Sequence, residues 1–184
     1  MNYKDIQKYT SVGNYEVTMP LKYLKDKIDD WCNDLNLQLN PDFQRGHVWN
    51  EEQQTAYVEY LLRGGKNATT LYFNHPDWMN YFRGDFVLVD GLQRLTAILK
   101  FVNNELKVFG CYIDEIEDLP LLAVDLRINV NNLKTRKEVL QWYIEFNSGG
   151  VVHTKEELDR VRKLLEDEIK LYDTFGGNPK NIMK

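Results

Sequence analysis

The sequence predicts an α+β fold: a small mixed sheet with helices around it, and further helices toward the C-terminal end. Three observations carry this. Short β-rich stretches (YEVT, TTLYFN, DFVLVD) alternate with segments whose apolar residues recur at helical spacing. Several helices have capping residues at their starts, and glycines stand where one of them stops. A hydrophobic content of 43% and an aromatic content of 12% over 184 residues suffice to bury a core in one domain, or in one domain with a helical appendage.

Residues 15–18 (YEVT) read as a strand, and Pro20 suits the first turn of a helix through about Cys32, with Leu21, Leu24, Ile28 and Trp31 on one face. LQLNPDFQRGHVW mixes polar and aromatic residues around Pro41 and Gly46, which predicts a structured loop. Asn50 and Gln53 form the signature of a capping box for a helix with Ala56, Tyr57, Tyr60 and Leu61 inward, ending at Gly64 and Gly65. TTLYFN (69–74) and DFVLVD (85–90) read as strands, and Leu92, Leu95, Ile98, Leu99 and Val102 then give a helical stripe. KVFGCY and LLAVDLRINV read as further strands joined by the acidic link DEIEDL. Thr135 with Glu138, and Thr154 with Glu157, open two last helices separated by the turn FNSGG. The organisation expected is an N-terminal extension (1–12), a core (13–133), a helical part packed on it (134–175) and a flexible tail (176–184).

A net charge of −5 excludes a general binder of phosphate backbones, which needs a basic excess. Cys32 and Cys111 show neither zinc-site nor disulfide spacing and read as buried thiols. No apolar run reaches the roughly 18 residues that span a bilayer, so the expectation is a soluble, cytoplasmic protein without membrane contact. There is no P-loop, GxGxxG, HExxH or GxSxG motif, and His47, His75 and His153 lack metal-ligand spacing. For the acidic run 114–118 a solvated loop is the simpler reading than a metal site.

Three polar clusters remain. In DGLQR (90–94) a strand feeds a helix through a glycine; helix N-termini carry unpaired N–H groups and a positive dipole end, and glycine lets an anion come close. Arg94 adds a fork of donors, while Asp90 could hold a metal or water or orient Arg94. The plain alternative is an ordinary N-cap and tight turn. In PDFQRGHVW, Gln44 and Arg45 between Phe43 and Trp49 suit the reading of a base or phosphate, or else an arginine stacked on Trp49. In FNSGG, Asn147, Gly149 and Gly150 form either an anion-binding turn or a plain helix connection.

Taken in order, these three clusters resemble the N-terminal domain family of GmrSD-type modification-dependent restriction enzymes over about residues 13–165. The resemblance implies a ParB/sulfiredoxin-like fold whose glycine- and arginine-bearing joint binds nucleotide phosphates, with hydrolysis licensing DNA cleavage. The family's Asp-Gly-Gln-Gln-Arg is matched by Asp90, Gly91, Gln93 and Arg94, with Leu92 in place of the first glutamine. Gln44, Arg45 and Trp49 match its Gln-Arg before a tryptophan, and Asn147, Gly149 and Gly150 match its Asn-x-Gly-Gly turn. Asp90, Gln93 and Arg94 are then the implied catalytic residues. Gln44, Arg45, Gly91, Gln93, Arg94, Asn147, Gly149 and Gly150 are the implied nucleotide ligands, with NTP and Mg²⁺ as cofactors and Asp90 as the metal ligand.

Leu92 admits two readings: it removes an amide that would position water, leaving a phosphate cradle, or it points into the core with Leu95 and Leu99. The HNH nuclease half of the family has no counterpart after His153. The expected function is therefore NTP binding, with or without hydrolysis, in restriction or anti-phage defence, alongside an HNH nuclease or another restriction-system protein and with DNA reached through a complex. The alternatives are a degenerate interaction module that binds a protein or DNA and regulates a restriction system, and a nuclease, disfavoured for want of paired metal carboxylates.

Overall fold

The computed structural model describes residues 2, 5–6, 15–44, 46, 48–148 and 155–174. The chain divides into two compact units, one within residues 13–132 and one carrying the last two helices. Expectations for Thr154, His153 and the tail fall outside the described residues.

The first unit is built on a four-stranded mixed sheet in the order β1-β4-β2-β3, with β1 at Tyr15–Pro20, β2 at Thr70–Asn74, β3 at Val87–Asp90 and β4 at Asp125–Asn131. β4 runs antiparallel to β1 and parallel to β2, and β3 closes the order antiparallel to β2. The outer edge of β3 is covered by the chain after the first helix: Gln38 N–H donates to the Phe86 carbonyl at 2.9 Å, and Leu88 N–H to the Gln38 carbonyl at 3.0 Å. Such cover removes an open ladder edge.

Helix α1 (Leu21–Leu35) follows β1 directly and buries the expected Leu21, Leu24, Ile28 and Trp31; it runs one turn beyond Cys32 before Asn36 stops it in the left-handed conformation. Helix α2 (Glu51–Leu62) has the full Asn50–Gln53 capping box, but its buried face is Gln54, Tyr57, Val58 and Leu61, with Ala56 and Tyr60 exposed. The stripe is rotated because a polar residue occupies its first position: the Gln54 amide is buried and donates to the Trp49 carbonyl at 2.8 Å. Helix α3 (Leu92–Val102) buries Leu92, Leu95, Ala97, Ile98 and Phe101. Leu92 therefore belongs to the core, where Leu71, Leu88, Leu126 and Ile128 also sit.

KVFGCY is not a strand. Val108 and Cys111 form one antiparallel bridge around Phe109 and Gly110, both at positive φ (53° and 80°), the signature of a two-residue hairpin turn. LLAVDLRINV is a strand only from Asp125, after a turn at 121–123. Cys32 and Cys111 are half-buried free thiols, and burial raises the Cys32 pKa. In the second unit α4 (Arg136–Ser148) opens on the expected Thr135–Glu138 box, and α5 (Lys155–Thr174) meets it through an Arg136–Glu168 ion pair at 3.0 Å. Among the described residues no helix is long and apolar enough to cross a membrane.

His75 is buried against the rings of Trp78, Phe82 and Phe86. Its Nδ1 accepts the Asp77 N–H at 3.1 Å, and its Nε2 has no hydrogen bond. Burial lowers its pKa, more than the charges of Asp77 and Asp85 raise it. The folded state thus resists a proton that the unfolded chain accepts, so stability declines as the pH falls below about 6.5, by at most ~1.4 kcal/mol per pH unit for this one group. Urea unfolding from pH 7 to 5 checks this: His75→Gln should flatten the profile, and an identical slope in both proteins would refute it.

Candidate functional site

The strand-to-helix joint takes its shape from Gly91. β3 ends at Asp90, Gly91 turns the chain at φ 111°, and α3 starts at Leu92. A Cβ on Gly91 would lie 2.5 Å from Leu71 Cδ2 and 3.5 Å from Leu71 Cα, so the close packing of the joint against β2 excludes a side chain as firmly as the positive φ does. Among the described residues no side chain caps α3, and its first intrahelical bond is Leu95 N–H to the Gly91 carbonyl at 2.8 Å. The N–H groups of Leu92, Gln93 and Arg94 are therefore the open positive end of the helix.

Around that end the side chains are fixed. Arg94 Nη2 donates to Asp90 Oδ2 one helical turn back, both groups partly buried. Asp90 orients the guanidinium, as one of the sequence readings had it, and the remaining donors of the five-donor fork stay available for a second acceptor. Arg94 also lies near the Tyr57 ring: the Tyr57 hydroxyl is pushed up to about 12 by burial, and the Arg94 charge opposes that rise. Tyr57 donates to the Ala68 carbonyl at 2.9 Å and packs on Trp49 with ring centroids 5.4 Å apart. Tyr57, expected as core, is buried as expected and lies within reach of the Arg94 charge.

The second cluster does come to the joint. The Gln93 carbonyl oxygen accepts from both Val48 N–H (2.8 Å) and Trp49 N–H (3.0 Å), and its Nε2 donates to the Gly46 carbonyl at 2.8 Å. Gln44 Nε2 donates to the Leu88 carbonyl. Gln44 is thereby held on β3, and Gly46, Val48 and Trp49 on the first turn of α3. Gln93, expected to touch nucleotide and do chemistry, has both acceptor positions of its amide committed to this loop. Arg45 and His47 lie outside the described residues.

The third cluster is in the other unit. Asn147 is buried on α4, where its Nδ2 donates to the Tyr143 carbonyl at 2.8 Å. Gly149 and Gly150 lie outside the described residues. Among the described residues no group of three or more His, Cys, Asp or Glu gathers as a metal cage, in the acidic stretch 114–118 or elsewhere. Asp90, with one oxygen on Arg94, fits a divalent cation only as a lone carboxylate beside ligands brought by something else, as Mg²⁺ accepts from phosphates.

The fold and joint define an α+β domain in which a glycine-turned strand feeds a helix with an open N-terminus, beside an arginine oriented by the strand's last carboxylate. The chain belongs to the family described as GmrSD restriction endonuclease, N-terminal domain, whose model matches residues 28–164. It is also similar to the solved structure of the C-terminally truncated chromosome-partitioning protein ParB from Caulobacter crescentus complexed with CTP-gamma-S. Identity is 16% and the TM-score 0.40, covering 85% of this chain and 65% of that one. The chain thus spans just under two thirds of that protein's length. No curated protein matches it.

Replacing Gln93 by Leu should cost about 1–3 kcal/mol, because the half-buried Trp49 N–H and Gly46 carbonyl lose their partner, while the exposed Val48 N–H turns to water. Gln93→Glu, which keeps the acceptor and loses only the donor to Gly46, should cost less. Chemical denaturation read by tryptophan fluorescence distinguishes them, and a Leu variant as stable as the wild type would remove the pinning role.

Proposed function

We propose that the chain is a nucleoside-triphosphate-binding domain of a restriction or anti-phage system, taking the phosphates at the start of α3. The observation that carries this is the Gly91 joint: the first N–H groups of α3 have no side-chain cap at the positive end of the helix dipole, and Arg94 stands oriented beside them. A phosphate oxygen that meets the N–H groups gains charge-assisted hydrogen bonds, and Arg94 adds its unused donors. Gln44 and Gln93 serve by holding the chain on either side of Arg45, which the proposal keeps as a second phosphate ligand. Asp90 would add one carboxylate to a Mg²⁺ ion carried by the phosphates. Charge neutralisation is the chemistry it supplies.

Binding is better supported than hydrolysis. Leu92 is in the core, and the Gln93 oxygen is used twice by the loop, so neither presents an amide to a water. The same observation favours a second reading, a non-catalytic module that regulates a restriction system through an HNH nuclease or other protein, and through it DNA. Nuclease action by this chain has no support from the described carboxylates.

A thermal-shift panel of ATP, GTP, CTP and UTP with Mg²⁺ tests the proposal. At about 100 times Kd the preferred nucleotide should stabilise the protein by ~2.7 kcal/mol. Arg94→Ala should lose most of that gain relative to its own ligand-free state; a gain unchanged in the variant, or absent in the wild type, would overturn the proposal. Phosphate release under the same conditions separates an NTPase from the regulatory module.

A further inference from the structure

The two ends of the β2–β3 pair differ. Tyr72 opposite Asp90 marks the end with the Gly91 joint, and Asn74 opposite Val87 marks the other, where residues 75–86 link the strands. That linker presents Met79 and Tyr81 to solvent at 66% and 80% exposure. Next to it lies a pocket of about 320 Å³ between the linker, β1 and α1.

Its walls are the rings of Tyr15, Trp31, Trp78 and Phe82. Trp31 meets Trp78 edge-on at 5.5 Å and 89°, and Trp78 meets Phe82 at 5.3 Å and 89°. Aromatic rings lining a pocket attract a cation through the negative potential of their faces. α1 supplies the rim with Asp30 and Asp34, both exposed. The chain already rests an ammonium here: Lys27 Nζ lies 5.8 Å from the centroid of Trp31 and 4.0 Å from Asp30. Its volume is at the low end for ligand sites, enough for one small group, and the acidic pair repels phosphate.

We infer that this pocket binds an alkylated ammonium group. The ring faces attract its diffuse charge, Asp30 and Asp34 complement it, and Lys27 is the internal competitor that a ligand displaces from Trp31. The inference is independent of nucleotide binding at the joint.

Choline and its neutral isostere 3,3-dimethylbutan-1-ol test it, with the indole N–H resonances of Trp31 and Trp78 as readout, assigned through Trp78→Phe. Choline should shift both resonances and the isostere neither. Asp34→Asn, at an exposed position that leaves the fold intact, should weaken choline about threefold, and Lys27→Ala should strengthen it by a similar factor. A trimethyllysine peptide that binds more tightly than choline would locate the ammonium on a protein side chain, and the reverse order would locate it on a free small molecule; both outcomes support the site. Equal shifts with the isostere, shifts with deoxyadenosine in place of choline, an affinity unchanged in Asp34→Asn, or no shift with choline would each overturn it.

Discussion

The backbone of Gly91 and the side chain of Leu71 share a space that has no room for a Cβ. This contact sets the angle at which α3 leaves β3, and so decides that Leu92 and Leu95 enter the core while Gln93 and Arg94 emerge beside the joint. The same geometry leaves the first N–H groups of α3 uncapped, because a glycine has no oxygen to return to them. Folding and the candidate site therefore rest on one close approach.

Three neighbours turn that joint into a defined surface. Asp90 holds Arg94 by a bond within one helical turn, and Gln93 holds the loop of the second cluster by its backbone. The capping box at Asn50 then directs α2 so that Tyr57 packs on Trp49 and feels the charge of Arg94. The elements meeting here are far apart in sequence. They are brought together by polar side chains, while the apolar stripes only supply the platform beneath.

That division explains what was legible beforehand. The inward face of α1, the cap at Asn50 and the box at Thr135 could be read because each depends on residues within one or two turns; on α3 Leu92, Leu95 and Ile98 are buried as expected, whereas Ala97 and Phe101 take the inward places expected of Leu99 and Val102, which are half-buried. The α2 face was misplaced by one step because Gln54, a polar residue, is buried to serve the Trp49 carbonyl, a partner that periodicity does not register. KVFGCY has strand composition, but Phe109 and Gly110 turn it. Gln93 is half-buried at the edge of the α3 stripe, and its partners Gly46, Val48 and Trp49 are set by tertiary packing that no local pattern registers. The aromatic pocket is not legible in the sequence because Tyr15, Trp31, Trp78 and Phe82 are far apart in the chain, and only the fold brings their rings together.

The central claim is that the open N–H groups after Gly91 receive a phosphate, and amide resonances report this most directly. In a ¹H–¹⁵N spectrum titrated with the nucleotide that stabilises the protein most, the amides of Leu92, Gln93 and Arg94 should move downfield and saturate together with the Arg94 guanidinium signal. Saturable binding that leaves these amides in place and moves others would contradict the account.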